Sequence, residues 1–344
     1  MATDKQFSKA GDGLLVRAPG KINLSLLVKG ERPDGYHDIE SIMAKVNWYD
    51  EILIEQKTED GGPRFAQGAT QGRQRTEDRG QNNVQYPTPN VECRRETNIE
   101  LICKGPYQVP EGEDNLVYKA AKMILDFRLP IADFSKQKIE GIRITLTKNM
   151  PAGSGLGSGS SDAAGTLMGI NEYFKLGISK KKLEELAAKL GSDVAFFLDG
   201  PIALCTGRGE KVKKMAECEF RVLLIIPNIS VSTKRVYANY RHDAAKFALL
   251  HKEITGHIEK NRIDLVCELC ANMLQESCFE LHPELGVLKK RIESLGIRPV
   301  CLSGSGSSMY CIINRSNEKK VGTYRDKLEP DYGCKGIIVS NNTW

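Results

Sequence analysis

The stretch Thr147 to Thr166, TKNMPAGSGLGSGSSDAAGT, limits what this chain can build more than any other. Gly153 to Ser161 holds four glycines, four serines and one leucine. Glycine loses the most backbone freedom on folding, and a plain connection has no need of that cost. Upstream, Ile142, Ile144 and Leu146 alternate with Arg143, Thr145 and Thr147, the period of a half-buried strand ended before Pro151. Downstream, Ala163, Leu167, Ile170 and Phe174 recur at helical spacing. The order is strand, glycine loop, helix. Such a loop exposes backbone N–H groups with no Cβ in the way, at the positive end of a helix dipole, and that is an anion site. A tight turn would need only one or two glycines.

The spacing excludes the two commonest phosphate loops. A Walker loop ends in Gly-Lys-Ser/Thr, and no lysine precedes Ser160 or Ser161. A GxGxxG fingerprint begun at Gly153 or Gly155 would need glycine where Ser158 or Ser160 stands. What fits is P-x3-G-L-G-S-x-S-S, over Pro151, Gly155, Leu156, Gly157, Ser158, Ser160 and Ser161.

At 344 residues the chain has the length of about two domains. A net charge of +5 suits anionic ligands, but no basic stripe with interleaved aromatics points to nucleic acid. The start, MATDKQFSKAGDG, has no apolar leader core, and no run is long and apolar enough to span a membrane. The expectation is a soluble cytoplasmic protein. Ten cysteines scattered over this length do not read as a disulfide framework, and Cys267 and Cys270 read as two semi-buried thiols on a helix. The first ~55 residues read as strands, broken at Pro19-Gly20, with a turn at Pro33, Asp34 and Gly35. A polar, Gly- and Gln-rich run reads as a flexible insertion over about 57–95. Helices are expected over EDNLVYKAAKMILDF, KKLEELAAKLGSD and the patterns between about Asp243 and Leu295; strands over FRVLLIIPN and GCKGIIVSN, and on either side of the glycines in RPVCLSGSGSSMYCIIN.

The glycine loop resembles the second motif of the GHMP small-molecule kinase superfamily, which cradles the phosphates of ATP. APGKINLSL, Ala18 to Leu26, is similar to the first motif, and LSGSGSSMYCII, Leu302 to Ile313, to the third, a second glycine loop that supports the first. RPDGYHDIES, GSDVAFFLDGPIALCTGRGE and DNLVYKAA further resemble the branch acting on a cytidine-diphosphate-linked methylerythritol. Mevalonate and homoserine kinases share the glycine motifs but not DGYH or GSDVAFFL.

The resemblance implies an α+β, two-domain GHMP kinase fold. Its first, ribosomal-protein-like domain would cover 1–217 and its second, ferredoxin-like domain 218–344, with the active site between them. It implies ATP, with Mg2+ brought by the nucleotide and no dedicated metal cage, a small-molecule substrate, and a monomer or homodimer. Asp193 would accept the proton of the substrate hydroxyl, and Lys21 would keep that carboxylate ionised and counter the transferring charge. Asp162, in the first turn after the loop, is the rival for a base or metal role, or a complement to the helix dipole. Pro151, Gly153, Gly155, Leu156, Gly157, Ser158, Gly159, Ser160 and Ser161 would form the phosphate loop. Asn115 and Lys148 would meet adenosine, although Asn115 could equally cap a helix and Lys148 end a strand in solvent. Tyr36 and His37 would meet the cytosine, Tyr237 would close its other side, and Asn23 and Thr233 would reach the diphosphate and alcohol. Two rivals remain: another superfamily kinase for a mevalonate-like or homoserine-like alcohol, and a nucleotide-binding regulator without turnover.

Overall fold

The computed structural model describes residues 5–57, 98–128, 139, 141–315 and 317–341. Beyond residue 57, the expected insertion lies outside the described residues.

Two sheets organise the chain. In the first, β1 (Phe7–Ala10), β2 (Gly13–Glu31), β3 (His37–Gln56), β5 (Gly141–Thr147) and β4 (Asn98–Lys104) lie side by side in that order. β3 is long enough to take two partners along one edge: β5 over Glu51 to Gln56, and β6 (Ile202–Gly207) over Ile39 to Ala44. β7 (Lys211–Lys214) extends β6. The helices α1 (Leu116–Arg128), α2 (Ser158–Tyr173), α3 (Lys180–Leu190) and α4 (Val194–Phe197) pack on this sheet, with Val117, Ala120, Ala163, Leu167, Ile170 and Leu186 in its core.

The second sheet runs β11 (Cys334–Ser340), β8 (Arg221–Pro227), β10 (Met309–Ile313), β9 (Cys301–Leu302), all antiparallel. Between β8 and β9 come α5 (Thr233–Ala238), α6 (Ala244–Glu259), α7 (Ile263–Glu268), α8 (Gln275–Leu281) and α9 (Pro283–Ser294); α10 (Glu318–Tyr332) precedes β11. The spatial order is fourth, first, third, second, the ferredoxin-like arrangement that the sequence leads one to expect.

Pro19-Gly20 does not break the first strand. β2 runs through it, and its register against β3 shifts there, from Pro19 opposite Tyr49 to Gly20 opposite Val46. Side chains alternate with period two, so such an irregularity exchanges the faces of a strand. Before it, Val16 and Ala18 join the core beneath the helices of the first sheet. After it, Ile22 and Leu24 join the core shared with the second sheet, and Lys21 and Asn23 turn to the cleft between. The kink read as an end is what aims the first motif.

The cysteine reading needs correction at one position. Cys267 is a buried thiol, but Cys270 lies past the end of α7 and is bridged to Cys301 at the start of β9. A spacing of three made one helix face look natural; the helix stops too soon for it.

α2 reaches β2 and β3 through glycines. A Cβ at Gly169 would stand 2.6 Å from Ile54 Cδ1 and 2.7 Å from Val16 Cγ2, both in the core. Gly169→Ala gains about 1 kcal/mol of helix propensity but overpacks that contact by about 1–3 kcal/mol, so a net loss of stability is expected. Thermal denaturation of the variant checks it; an unchanged or raised midpoint would contradict the packing described.

Candidate functional site

A cleft of about 920 Å3 opens between the two sheets and is floored by the glycine loop. Of the residues singled out in the sequence, Lys21, Asn23, Tyr36, His37, Gly153, Gly155, Gly157, Ser158, Gly159, Ser160, Asp193, Thr233 and Tyr237 line it. Asn115, Lys148, Pro151, Leu156 and Ser161 do not.

The loop is shaped by what lies behind it. Gly157 stands just before α2 with φ 67°, and no side chain caps the helix, so its first N–H groups face the cleft without an intrahelical partner. Gly155 has φ 82°, and a Cβ there would lie 2.2 Å from the Ser303 carbonyl oxygen. Only glycine fits at that place. Ser303 Oγ donates to Gly155 O (2.9 Å), and the Ser308 N–H donates to Ser154 O (2.9 Å). The first motif touches the same loop, since the Lys21 N–H donates to Leu156 O (2.9 Å). Gly159, by contrast, has no unusual φ, and a Cβ there would meet only Leu116 Cδ1 at an ordinary 3.6 Å. Ser161 Oγ is buried without a hydrogen-bond partner.

Beside the loop, Lys21 Nζ lies 3.7 Å from Asp193 Oδ2. Lys21 is 3% exposed, and burial pulls its pKa down while the charge of Asp193 opposes the fall. Its ammonium is oriented by a directed chain of hydrogen bonds. Lys21 Nζ donates to Asn23 Oδ1 (2.5 Å), Asn23 Nδ2 donates to Ser41 Oγ (2.8 Å), and Ser41 Oγ donates to Ser25 O (2.6 Å). Asp193 stands at the N-terminal end of α4, its side chain 30% exposed to the cleft. The arrangement sets a cation and an accessible carboxylate beside a run of N–H donors.

The far end of the cleft is aromatic. The rings of His37 and Tyr237 lie 5.2 Å apart and tilted, and Tyr240 meets His37 edge-on at 5.9 Å. Burial, with Asp193 nearby, raises the Tyr237 phenol. Tyr36 is 53% exposed and carries the Arg208 guanidinium 4.9 Å above its ring. Thr233 Oγ1 and Ser305 Oγ share a hydrogen bond of 2.8 Å across the floor.

The two adenosine expectations sit elsewhere. Asn115 is buried; its Oδ1 accepts from the Val117 N–H (2.9 Å) and its Nδ2 donates to Pro110 O (2.7 Å), so it serves as a helix-start cap. Lys148 is 1% exposed, which overturns the reading of a solvated strand end. Asp162, the rival base, is buried against Lys148 at 2.7 Å. Sequence reasoning missed Tyr240 and Arg208, which line the cleft, and Tyr310, whose hydroxyl donates to Asn23 O (2.9 Å). It also missed Asn272, whose Nδ2 donates to Leu302 O (3.0 Å) and Gly304 O (2.8 Å) and so pins the second glycine loop. Arg208 was within a stretch already singled out, but Asn272 stands in ANML, which carries no signal.

Comparison with known proteins agrees with this geometry. Residues 115–201 match the model of the GHMP kinases N terminal domain, and residues 254–326 that of the GHMP kinases C terminal domain. A 4-diphosphocytidyl-2-C-methyl-D-erythritol kinase of Geobacillus sp. (strain WCH70) is 33% identical over 308 residues, 88% of this chain and 89% of the relative. One from Bacillus cytotoxicus is also 33% identical, over 310 residues with the same coverage. Among solved structures, a 4-(cytidine 5'-diphospho)-2C-methyl-D-erythritol kinase superposes with TM-score 0.65 at 25% identity, covering 96% of this chain and 100% of that one. A homoserine kinase from Cytophaga hutchinsonii reaches TM-score 0.66 at 18% identity, covering 99% and 98%, a likeness of fold.

Gly155→Ala forces a side chain into the left-handed region and against the Ser303 carbonyl. Displacing the loop by an ångström should lower kcat/KM for ATP by about a hundredfold. Steady-state kinetics at varied ATP checks it; an unchanged kcat/KM would contradict the close approach of the two loops.

Proposed function

The chain belongs to the GHMP kinases, and from that premise we propose that it transfers the γ-phosphate of ATP to the 2-hydroxyl of 4-diphosphocytidyl-2-C-methyl-D-erythritol, a step of the methylerythritol phosphate route to isoprenoids. One observation carries the reading: the Lys21–Asp193 pair opens into the same cleft as the glycine loop at one end and the His37–Tyr237 aromatic cluster at the other. A phosphate donor and a flat base therefore have separate seats on either side of a carboxylate.

The phosphates fit the loop because the N–H groups at the start of α2 face the cleft and the glycines leave no Cβ in the way. Mg2+, which would come with the nucleotide, would supply further neutralisation of phosphate charge; of Ser160 and Ser161, the two hydroxyls that could hold it, Ser160 is the one that lines the cleft. Asp193 accepts the proton of the attacking hydroxyl. Lys21, 3.7 Å from that carboxylate, counters charge on the phosphoryl group in flight. His37 hydrogen-bonds the edge of the cytosine, Tyr36 and Tyr237 bracket its faces, and Asn23 and Thr233 hold the diphosphate and alcohol. We place the domain boundary at 217/218 and the enzyme in the cytoplasm, as a monomer or homodimer; no helix among the described residues is long and apolar enough to cross a membrane.

The test is ADP release by the purified chain with Mg-ATP and the cytidine substrate, run beside mevalonate and homoserine. Turnover confined to the cytidine substrate is expected, and Asp193→Asn, which removes the base, should lower kcat by about 10^2–10^4. Equal turnover of another alcohol would discard the aromatic base seat.

A further inference from the structure

Both ends of the glycine loop meet at a buried cluster that the chemistry above does not use. Lys148 follows β5, and its Nζ donates to Asp50 Oδ2 (2.5 Å), Asp162 Oδ2 (2.7 Å) and Ser158 Oγ (3.1 Å). Asp50, in β3, is fully buried, and its other oxygen accepts from the backbone N–H groups of Asn149 (2.6 Å) and Met150 (2.9 Å). Residues 148–150 lead into the loop, and Ser158 and Asp162 lead out of it along α2. One ammonium and one carboxylate thus fasten the loop's entry to its exit.

An ammonium has three donors and no acceptor, and here three acceptors take them. Nothing is left for a ligand. Gly105 packs on the backbone of the same residue: a Cβ on it would lie 2.4 Å from Lys148 O. The sequence-based role for Lys148, direct contact with adenosine, would need one of those three bonds to break.

We propose that Asp50, Lys148 and Asp162 form a clasp across the neck of the phosphate loop, positioning its N–H groups for ATP, with Asp50 the member on which the clasp depends. The proposal rests on the reading of this loop as the ATP site. The three members are not equivalent. Asp50 uses both oxygens, holding the ammonium with one and two backbone donors with the other. Asp162 uses only Oδ2, and its Oδ1 is buried without a partner. Burial, with Asp50 beside it, pushes the Asp162 carboxyl up to about 8, against the pull of Lys148. An amide in place of Asp162 keeps the one acceptor in use. An amide in place of Asp50 turns one of its two accepting oxygens into a donor, facing either Lys148 Nζ or the N–H groups of Asn149 and Met150.

The experiment measures the Kd of Mg-ATP by calorimetry on the full chain, with KM for ATP and for the cytidine substrate, in Asp50→Asn, Lys148→Met and Asp162→Asn. Asp50→Asn and Lys148→Met should weaken Mg-ATP about tenfold or more while KM for the cytidine substrate moves less than about threefold, and Asp162→Asn should stay within about threefold throughout. If a single charge removal prevents folding, the triple variant D50N/K148M/D162N has no buried charge left to strand; it should fold, and bind Mg-ATP about tenfold or more weakly than the parent. Folded Asp50→Asn that binds Mg-ATP like the parent would overturn the clasp. So would loss confined to Lys148→Met, which would restore the direct contact with nucleotide. A parent chain that binds Mg-ATP but does not turn over the cytidine substrate would discard the substrate reading and leave the clasp standing; one that does not bind Mg-ATP would overturn both.

Discussion

Two glycine loops, one from each sheet, hydrogen-bond to one another, and the site depends on that contact. Ser303 Oγ and the Ser308 N–H hold the carbonyls of Gly155 and Ser154, and the Lys21 N–H holds that of Leu156. With its carbonyls taken from behind, the first loop has its N–H groups free for the cleft. An isolated loop of this composition would have no reason to keep one conformation, because its glycines have the most freedom to lose. Two segments far from it in sequence supply the restraint, so the anion site exists only in the assembled fold.

Two buried lysines show why residue type alone does not assign a role. Lys21 and Lys148 are each almost wholly out of water, and each lies against the same loop. Lys21 has one amide oxygen at hydrogen-bond distance and a half-open carboxylate beyond it, and it lines the cleft. Lys148 is saturated and does not. The first can respond to a ligand's charge; the second is spent on structure. Burial was the shared property, and partner count separates them.

The strand, loop and helix around Gly153 to Ser161 were legible because their signals are local: period two, then glycine, then a helical period. The second glycine loop was legible for the same reason. α10 was not, since its only buried residues are Val321 and Leu328, too few to set a period, and it contains Gly322 and Pro330. α5 is six residues long, below the length at which periodicity speaks. Asp50 in NWYDEILIE looks like a solvent-facing strand residue, and its burial comes from β5 and the loop arriving from a hundred residues away. Most of the cleft-lining residues stand in local motifs of the chain; those that hold other residues, such as Asp50 and Asn272, do not, because their partners are chosen by topology.

β2 adds a consequence of a different kind. Its first half belongs to one core and its second half to the other, where Leu26 exchanges backbone hydrogen bonds with Ala271 and Met273. The strand is made well before the residues beyond 220 that share a core with Ile22 to Val28. Until then an apolar edge waits for partners of very high sequence separation, the circumstance that slows folding and invites association with other nascent chains. The halves of this protein are therefore not modules that evolution or an engineer can exchange at the boundary between the sheets: a cut there leaves the second half without a strand-length piece of its own interior.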